Sequence, residues 1–283
     1  MPKVSVLMPI YKTKEEYLRT AIESILNQTF IDFEFLILDD CPEDSREEII
    51  KSYTDTRIKY SKNEHNLGIT PSRNKLIEMA QGEYLAVMDH DDMSLPTRFE
   101  KQVQYLDEHP YVGICGCWRE DFPKKEIFEF PVDDLEIKKQ LLESCVVLHP
   151  ASMIRKLVLE KYNLRYEEEY SPCEDYRLWL RLIEVSQFHN IPEILFKYRN
   201  HNDNTTSHSI DKMIDITKRL QLWARNKYFS LWYEHTKEQV HVAQQAIKVK
   251  LFNIFPLLKI KKKQGKMKFY LFNFLPFLKV TAK

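Results

Sequence analysis

The stretch Tyr84-Leu85-Ala86-Val87-Met88-Asp89-His90-Asp91-Asp92 reads as a short buried strand that breaks off in three carboxylates. Strand-like alternation places Asp89 and Asp91 on one side of the chain, where they can share a divalent cation. Carboxylate oxygens are the hard ligands that Mg2+ and Mn2+ prefer, usually beside waters and substrate phosphates. In open α/β sheets, ligands sit just beyond the carboxyl ends of the strands. Taken alone, the run is also compatible with a plain acidic loop over a sheet edge, so the flanking sequence has to decide.

Upstream, strand and helix signals alternate. Val4 to Met8 is an apolar strand stopped by Pro9, and Leu18, Ile22, Ile25 and Leu26 recur at helical spacing between about Glu15 and Asn27. Phe33 to Leu38 is a second strand running into Asp39-Asp40, Ser45 to Tyr53 a second helix, and Ile58 to Tyr60 a short strand. Pro71 to Ala80 is a helix with Thr70 as its N-cap, and Gly82 turns the chain into the strand at Tyr84. This order predicts an α/β fold, a mostly parallel Rossmann-like sheet with helices on both faces. Asp39-Asp40 and Asp89 to Asp92 then leave the sheet at the same edge. Downstream, Phe99, Val103 and Leu106 mark a helix from Arg98 to Glu108, and Val112 to Trp118 is a further strand. Residues 119 to 147 are acidic and irregular before turning helical.

Composition narrows the class. The 283 residues are 43% hydrophobic and 30% charged, as in soluble globular chains with a full core. Five cysteines without framework spacing predict the reduced thiols of a cytoplasmic protein, and Cys115-Gly116-Cys117 is too closely spaced and solitary for a zinc site. The chain opens directly with a strand, so no cleavable secretory signal is expected, and no apolar run nears the roughly 20 residues that span a bilayer. The formal net charge of zero hides an asymmetry. Ten of the 42 basic residues follow Glu238 and no acidic residue does, which leaves 32 against 42, or about −10, on the first 238 residues. An acidic body argues against a nucleic-acid partner, while a basic tail points to an anionic one.

Gly68 precedes a helix whose N-terminus can face an anion, and Arg73 lies in its first turns; backbone N–H groups and a guanidinium both suit phosphate oxygens. Together with the acidic strand ends, these features describe a nucleotide-diphosphate pocket. The chain has only five glycines, with no G-x-G-x-x-G after the first strand and no P-loop motif, so dinucleotide and P-loop readings are weak.

Several segments carry a resemblance. Val4-Ser5-Val6-Leu7-Met8-Pro9-Ile10-Tyr11, Ser24-Ile25-Leu26-Asn27-Gln28-Thr29-Phe30, Leu36-Ile37-Leu38-Asp39-Asp40, Asn66-Leu67-Gly68, Ser72-Arg73-Asn74, Gly82-Glu83-Tyr84 and Asp89-His90-Asp91-Asp92 follow in order over roughly the first 100 residues. In that order and spacing the sequence resembles the family 2 glycosyltransferases, inverting enzymes of the GT-A fold that use nucleotide-diphospho-sugars. Two departures stand at the presumed nucleotide edge. Lys12 replaces the usual asparagine, and Cys41-Pro42 stands where Gly-Ser is common.

The resemblance implies Pro9 and Tyr11 at the base and ribose, Asp40 or Asp39 at the base, and Arg73 on the nucleotide. It implies Asp89 at the ribose or metal and Asp91 on a Mn2+ or Mg2+ ion at the diphosphate. A cation there stabilises the charge that the leaving diphosphate gains in the transition state. Ser171-Pro172-Cys173-Glu174-Asp175-Tyr176 matches the family's acidic pair at the start of a helix, although acidic residues favour any helix N-terminus. By that match Asp175 is the general base that direct displacement requires, and Glu174 supports the site or the acceptor. His149, within Leu148-His149-Pro150-Ala151-Ser152-Met153, either lines the acceptor site or is structural. His201, ending Phe196-Lys197-Tyr198-Arg199-Asn200-His201, is a candidate ligand of the metal or diphosphate. The polar run Asn202 to Ser209 is expected to close over the donor, for which UDP is the commonest family nucleotide.

The expected division is a GT-A domain over residues 1–209, with a nucleotide-binding half at 1–100 and an acceptor half at 101–209, followed by a helical, basic and hydrophobic extension over 210–283. Leu251-Phe252-Asn253-Ile254-Phe255-Pro256-Leu257-Leu258-Lys259-Ile260 recurs 20 residues later as Leu271 to Val280, with lysines between the copies. The pattern suits an anchor on an anionic membrane surface. A hairpin packed on the domain, or on a second copy in a homo-oligomer, is the alternative. The resulting expectation is a cytoplasmic enzyme, peripheral on the inner membrane's cytoplasmic face, acting on a glycan or glycolipid acceptor of lipopolysaccharide or capsule. Its rivals are a sugar nucleotidyltransferase and a membrane-associated scaffold with a degenerate pocket.

Overall fold

The first strand, β1 (Val4–Ile10), is buried at every position, as befits a strand covered on both faces. A computed structural model of the protein describes residues 1–201, 209–254, 258–263 and 266–271. After β1 come α1 (Glu15–Leu26), β2 (Phe33–Asp39), α2 (Glu47–Lys51), β3 (Ile58–Lys62), α3 (Ile69–Met79) and β4 (Tyr84–Val87). They are followed by β5 (Met93–Ser94), α4 (Arg98–Glu108), β6 (Val112–Phe122), β7 (Glu126–Phe128), α5 (Asp134–Leu141), β8 (Met153–Arg155), α6 (Lys156–Lys161), α7 (Glu174–Leu182), β9 (Gln187–Arg199) and α8 (Ile210–Lys227). One sheet runs in the order β3-β2-β1-β4-β8-β6-β9-β5, with β7 paired to β6. Pairing is parallel through β3-β2-β1-β4 and between β6 and β9, and antiparallel where β5, β7 and β8 join. The expected α/β order is observed.

Alternation along β1 sends Val4, Val6, Met8 and Ile10 to one face, where they share a core with Leu18, Ala21, Ile22 and Ile25 of α1 and Phe99, Val103 and Leu106 of α4. On the opposite face α3 packs on β1 and β2. Gly82 is required where the chain re-enters the sheet. A Cβ there would lie 2.5 Å from Ser5 N and 2.7 Å from the Val4 carbonyl carbon, so any side chain would push β1 away. The Ser24 to Phe30 segment ties α1 to the chain after the acidic turn. Gln28 donates to Leu95 O and accepts from Phe99 N, while Ser24 Oγ accepts from Ser94 N.

Several boundaries differ from expectation, β1 running through Pro9 to Ile10 and β6 through Trp118 to Phe122. Helix α3 starts at Ile69, capped by Gly68 in the left-handed region (φ +88°), and Thr70 lies in its first turn. The expected helix from Ser45 is replaced by a 3-10 turn at Pro42–Asp44 and the shorter α2, because Asp39 captures the Ser45 hydroxyl and the Arg46 N–H. The compact unit also continues past residue 209 to Lys227. Ile216, Leu220 and Ala224 of α8 are buried, while Gln221 and Arg225 bond the carbonyls of Glu143 and Leu142.

A second unit spans Tyr228–Lys283. Its described part is helical over α9 (Phe229–Ile254) and then forms an antiparallel ribbon, β10 (Leu258–Lys263) with β11 (Lys266–Leu271), which pairs Leu258 with Leu271 and Ile260 with Phe269. Among the described residues the extension is therefore helical to Ile254 and forms strands beyond it. The alternating apolar and basic residues beyond Ile254 carry the period of a strand. No helix among the described residues is long and apolar enough to cross a membrane. Residues 202–208 of the expected closing loop, and the second repeat copy from residue 272, lie outside the described residues.

Candidate active site

The parallel strands deliver two acidic ends to one edge, and they put them to different uses. Asp39, the last residue of β2, turns its carboxylate inward to accept from Cys41 N (3.0 Å), Ser45 Oγ (2.9 Å) and Arg46 N (2.8 Å). Asp40 accepts from Asn63 Nδ2, Leu67 N and Gly68 N, each at 2.8 Å, and so fixes the turn into the α3 N-terminus. Asp40 lines the cleft; Asp39 does not.

The cleft has two lobes. The first, about 550 Å3, is lined by Pro9, Tyr11, Lys12, Tyr17, Asp40, Asn66 and Gly68, with Asp91 and His201 at one end. The second, about 430 Å3, contains Arg73, Asp89, His149, Glu174 and Asp175. Pro9, Ile69, His90 and Asp91 line both, so the two spaces meet along the turn after β4.

That turn is not a continuing strand. Strand β4 ends at Val87, and the residues from Asp89 to Asp92 are oriented individually. Arg98, fully buried, donates to Val87 O at 2.8 Å beneath the turn, and burial draws its guanidinium down to about 10. Asp92 points inward and accepts from Arg199 N at 2.7 Å, while Arg199 Nε donates to Asp91 O at 2.7 Å. Burial, then the charges of Asp91 and Asp89, push Asp92 well above the usual carboxylate range. Asp91 faces the cleft, with His201 Nε2 2.9 Å from its Oδ2. Asp89 and Asp91 therefore share the second lobe without strand alternation placing them there.

In the second lobe, Arg73 hydrogen bonds Glu174 Oε1 and reaches Asp89 Oδ1 at 3.3 Å. Burial opposes its charge, but Glu174 and Asp89 more than offset this and hold it above the ordinary arginine value. Arg73 Nε and Glu174 Oε2 are buried without a hydrogen-bond partner among the described residues, which leaves one donor and one acceptor for a polar ligand. Asp175, half-buried beside them, is pushed up to about 6 by burial and by the adjacent Glu174 carboxylate. His149 Nε2 meets Tyr166 Oη at 2.8 Å, and burial, then Arg73, keeps its imidazole neutral.

Ten of the eleven residues singled out from sequence line one lobe or the other: Pro9, Tyr11, Asp40, Asp91 and His201 the first, and Arg73, Asp89, His149, Glu174 and Asp175 the second. Arg73 sits between Asp89 and Glu174, outside the first lobe. Sequence reading missed Tyr17 and Lys14 in the first lobe and Arg119, Tyr198, Met213 and Thr217 in the second. Met213 and Thr217 belong to α8, where Met213, Ile216, Leu220 and Trp223 recur at helical spacing, a pattern that predicts a packing face alone.

The glycosyl transferase family 2 pattern matches residues 5–162, and the chain belongs to that family. It is 38% identical over 245 residues to an uncharacterised glycosyltransferase of Methanocaldococcus jannaschii, covering 81% of this chain and 82% of that one. It is 25% identical over 240 residues to Escherichia coli WfaP, named as a UDP-Glc:α-D-GlcNAc-diphosphoundecaprenol β-1,3-glucosyltransferase, covering 82% and 92%. The crystal structure of S. aureus TarS in complex with UDP-GlcNAc superposes with a TM-score of 0.63 at 16% identity, over 97% of this chain and 98% of that one, a likeness of fold. The chain is a glycosyltransferase with the GT-A architecture.

Proposed function

We propose that the protein transfers a sugar, with inversion, from a nucleoside-diphosphate sugar to a hydroxyl of a glycan or glycolipid acceptor in cell-surface polysaccharide synthesis. UDP is the expected nucleotide. The observation that carries this reading is the shared wall of the two lobes. A nucleotide-sized space bounded by Pro9, Tyr11 and Asp40 opens, past Asp91, onto a second space holding Asp175. In this reading the first lobe takes the nucleotide, with the α3 N-terminus toward phosphate. The second lobe takes the donor sugar and the acceptor.

Asp175 accepts the acceptor hydroxyl's proton as that oxygen attacks the anomeric carbon. One displacement inverts the centre, and no covalent nucleophile is needed. A base near pH 6 is ionised at neutral pH yet basic enough to draw on that proton. Glu174 Oε2 and Arg73 Nε, both buried and unpartnered, suit the hydroxyls of a sugar. A Mn2+ or Mg2+ ion fits Asp91 and His201, whose ligating atoms stand side by side facing the first lobe, with Asp89 nearby. No group of three His, Cys, Asp or Glu forms a cage among the described residues, which agrees with a cation completing its shell on phosphates and water. Such an ion would stabilise the charge on the leaving diphosphate.

The acceptor side supports a lipid-linked substrate through its relatives, since WfaP is named for a diphosphoundecaprenol acceptor. The lysine-rich tail would then hold the enzyme at the cytoplasmic face of the inner membrane. The deciding experiment is thermal melting with Mn2+ and a panel of UDP, GDP, CMP and ADP. A metal-dependent rise with UDP alone supports the donor; a rise with GDP or CMP alone replaces it. A flat response to every nucleotide sinks the donor reading.

A further inference from the structure

We propose that Arg73 is a positioning residue for the N-terminus of α7, gripping Glu174 from α3 and so holding Asp175 where the two lobes meet. The inference rests on the reading of Asp175 as the base. It differs from the role the family resemblance implies for Arg73, which is contact with the nucleotide.

Two consecutive residues of α3 reach across to the later part of the chain. Arg73 bonds Glu174 Oε1, the first residue of α7. Asn74 clamps Tyr166 at both ends of its peptide, donating to Tyr166 O at 2.9 Å and accepting from Tyr166 N at 3.0 Å. The preceding Ser72 instead faces the first lobe, where its hydroxyl accepts from Asn63 Nδ2 at 3.3 Å. One turn of helix thus joins the nucleotide side to the base-bearing helix. Arg73 also engages Asp89 at 3.3 Å, so its guanidinium is braced from the β4 turn while it holds Glu174. Charge-assisted bonds of this kind are strong where water is excluded, and here Glu174 is buried and Arg73 largely so.

The grip also sets the field at Asp175. The groups facing it are Glu174 and the Tyr176 N–H on its own helix, the Cys173 thiol just before that helix, Arg73 from α3, Asp89 from the β4 turn, Tyr166 from the segment before α7, and the Cys145 thiol from the loop after α5. Arg73 is the cation among them. Removing it should raise the Asp175 titration, and removing the Glu174 charge should lower it.

The test needs no substrate. In full-length protein labelled with 13C at aspartate carboxyls, the Asp175 resonance is assigned by its loss in Asp175→Asn and titrated in Arg73→Gln, Arg73→Lys and Glu174→Gln. Amide exchange at residues 174–177 is measured in the same variants. We expect an upward shift of the midpoint in Arg73→Gln, a downward shift in Glu174→Gln, and a near-native midpoint in Arg73→Lys. Exchange should quicken in all three, because lysine keeps the charge but loses the guanidinium fork. An unmoved midpoint in Arg73→Gln, or unchanged exchange at 174–177, overturns the proposal. If Arg73→Gln fails to fold, Glu174→Gln gives both readouts, and unchanged values there overturn it equally. Glycosyl transfer that survives in Asp175→Asn would instead sink the base assignment and leave the positioning result standing.

Discussion

His201 Nε2 and Asp91 Oδ2 stand 2.9 Å apart, joining the residues after β9 to the turn after β4 at the wall shared by the two lobes. A carboxylate and an imidazole held side by side make a partial shell that suits a cation shared with phosphate. Asp91→Ala should abolish the Mn2+-dependent rise in melting temperature with nucleotide. His201→Ala should weaken it by roughly tenfold in apparent affinity, within the range seen when metal-site partners are removed. Equal nucleotide responses in wild type and Asp91→Ala would rule Asp91 out as the ligand.

Asp175 titrates near 6, above the ordinary aspartate value, because burial and Glu174 disfavour its charge. The folded state therefore holds this proton more tightly than the unfolded chain does. The carboxylate costs the fold stability above about pH 6, and that cost disappears as pH falls toward 4. Asp175→Asn should consequently be more stable than wild type at pH 7, on the order of 1 kcal/mol once its half-exposed setting is allowed for, and equal to it near pH 4. The same substitution should cost roughly a hundredfold to ten-thousandfold in turnover. Wild-type turnover should rise with pH through about 6 and then level. Denaturant melts at both pH values and a pH–rate profile check the two halves separately.

Asp39 and Asp40 are neighbours with unlike duties. Asp39 accepts two backbone N–H groups and the Ser45 hydroxyl away from the cleft, so Asp39→Asn should lose about 2–3 kcal/mol of stability while leaving nucleotide affinity unchanged. Asp40 both lines the first lobe and accepts from Leu67 and Gly68, so Asp40→Asn should weaken nucleotide binding as well as stability. Chemical melts and calorimetry with UDP separate the pair. A nucleotide defect in Asp39→Asn as large as that in Asp40→Asn would reverse the assignment.

The strands and the acidic edge were legible because local rules govern them. β1, β2 and β4 are apolar runs, β2 and β4 ending at Asp39-Asp40 and the acidic turn while β1 runs through Pro9 to Ile10, and α1 carries its buried residues at helical spacing. Side-chain direction after a strand end was not legible. Alternation was the wrong reason for pairing Asp89 with Asp91, since β4 ends at Val87 and long-range bonds from Arg98 and Arg199 orient the turn. Nor does the Ser72-Arg73-Asn74 motif say which way each member points. Arg73 meets Glu174 only because α7 returns to α3 from a position 101 residues later. Met213 and Thr217 were not legible as site residues for the opposite reason: α8 has a clear packing stripe that includes Met213, and packing is explanation enough for a helix that also walls the second lobe.

The membrane binding proposed for the tail should be separable from catalysis. Residues Met1–Lys227 form a unit with its own sheet and core, and both lobes are built within it. The ten lysines after Glu238 stand among apolar and aromatic residues, in a stretch of sequence that holds no acidic residue. Each lysine near an anionic surface contributes on the order of 1 kcal/mol, an attraction that salt screens. Deleting residues 245–283 should therefore leave the melting response to nucleotide and Mn2+ intact and abolish co-sedimentation with phosphatidylglycerol vesicles. The full chain should bind those vesicles, bind phosphatidylcholine vesicles weakly, and be released by high salt. Equal sedimentation of the full and truncated chains would exclude the membrane role. A shift from dimer to monomer on truncation, with vesicle binding absent in both, would assign the tail to contact between copies of the chain.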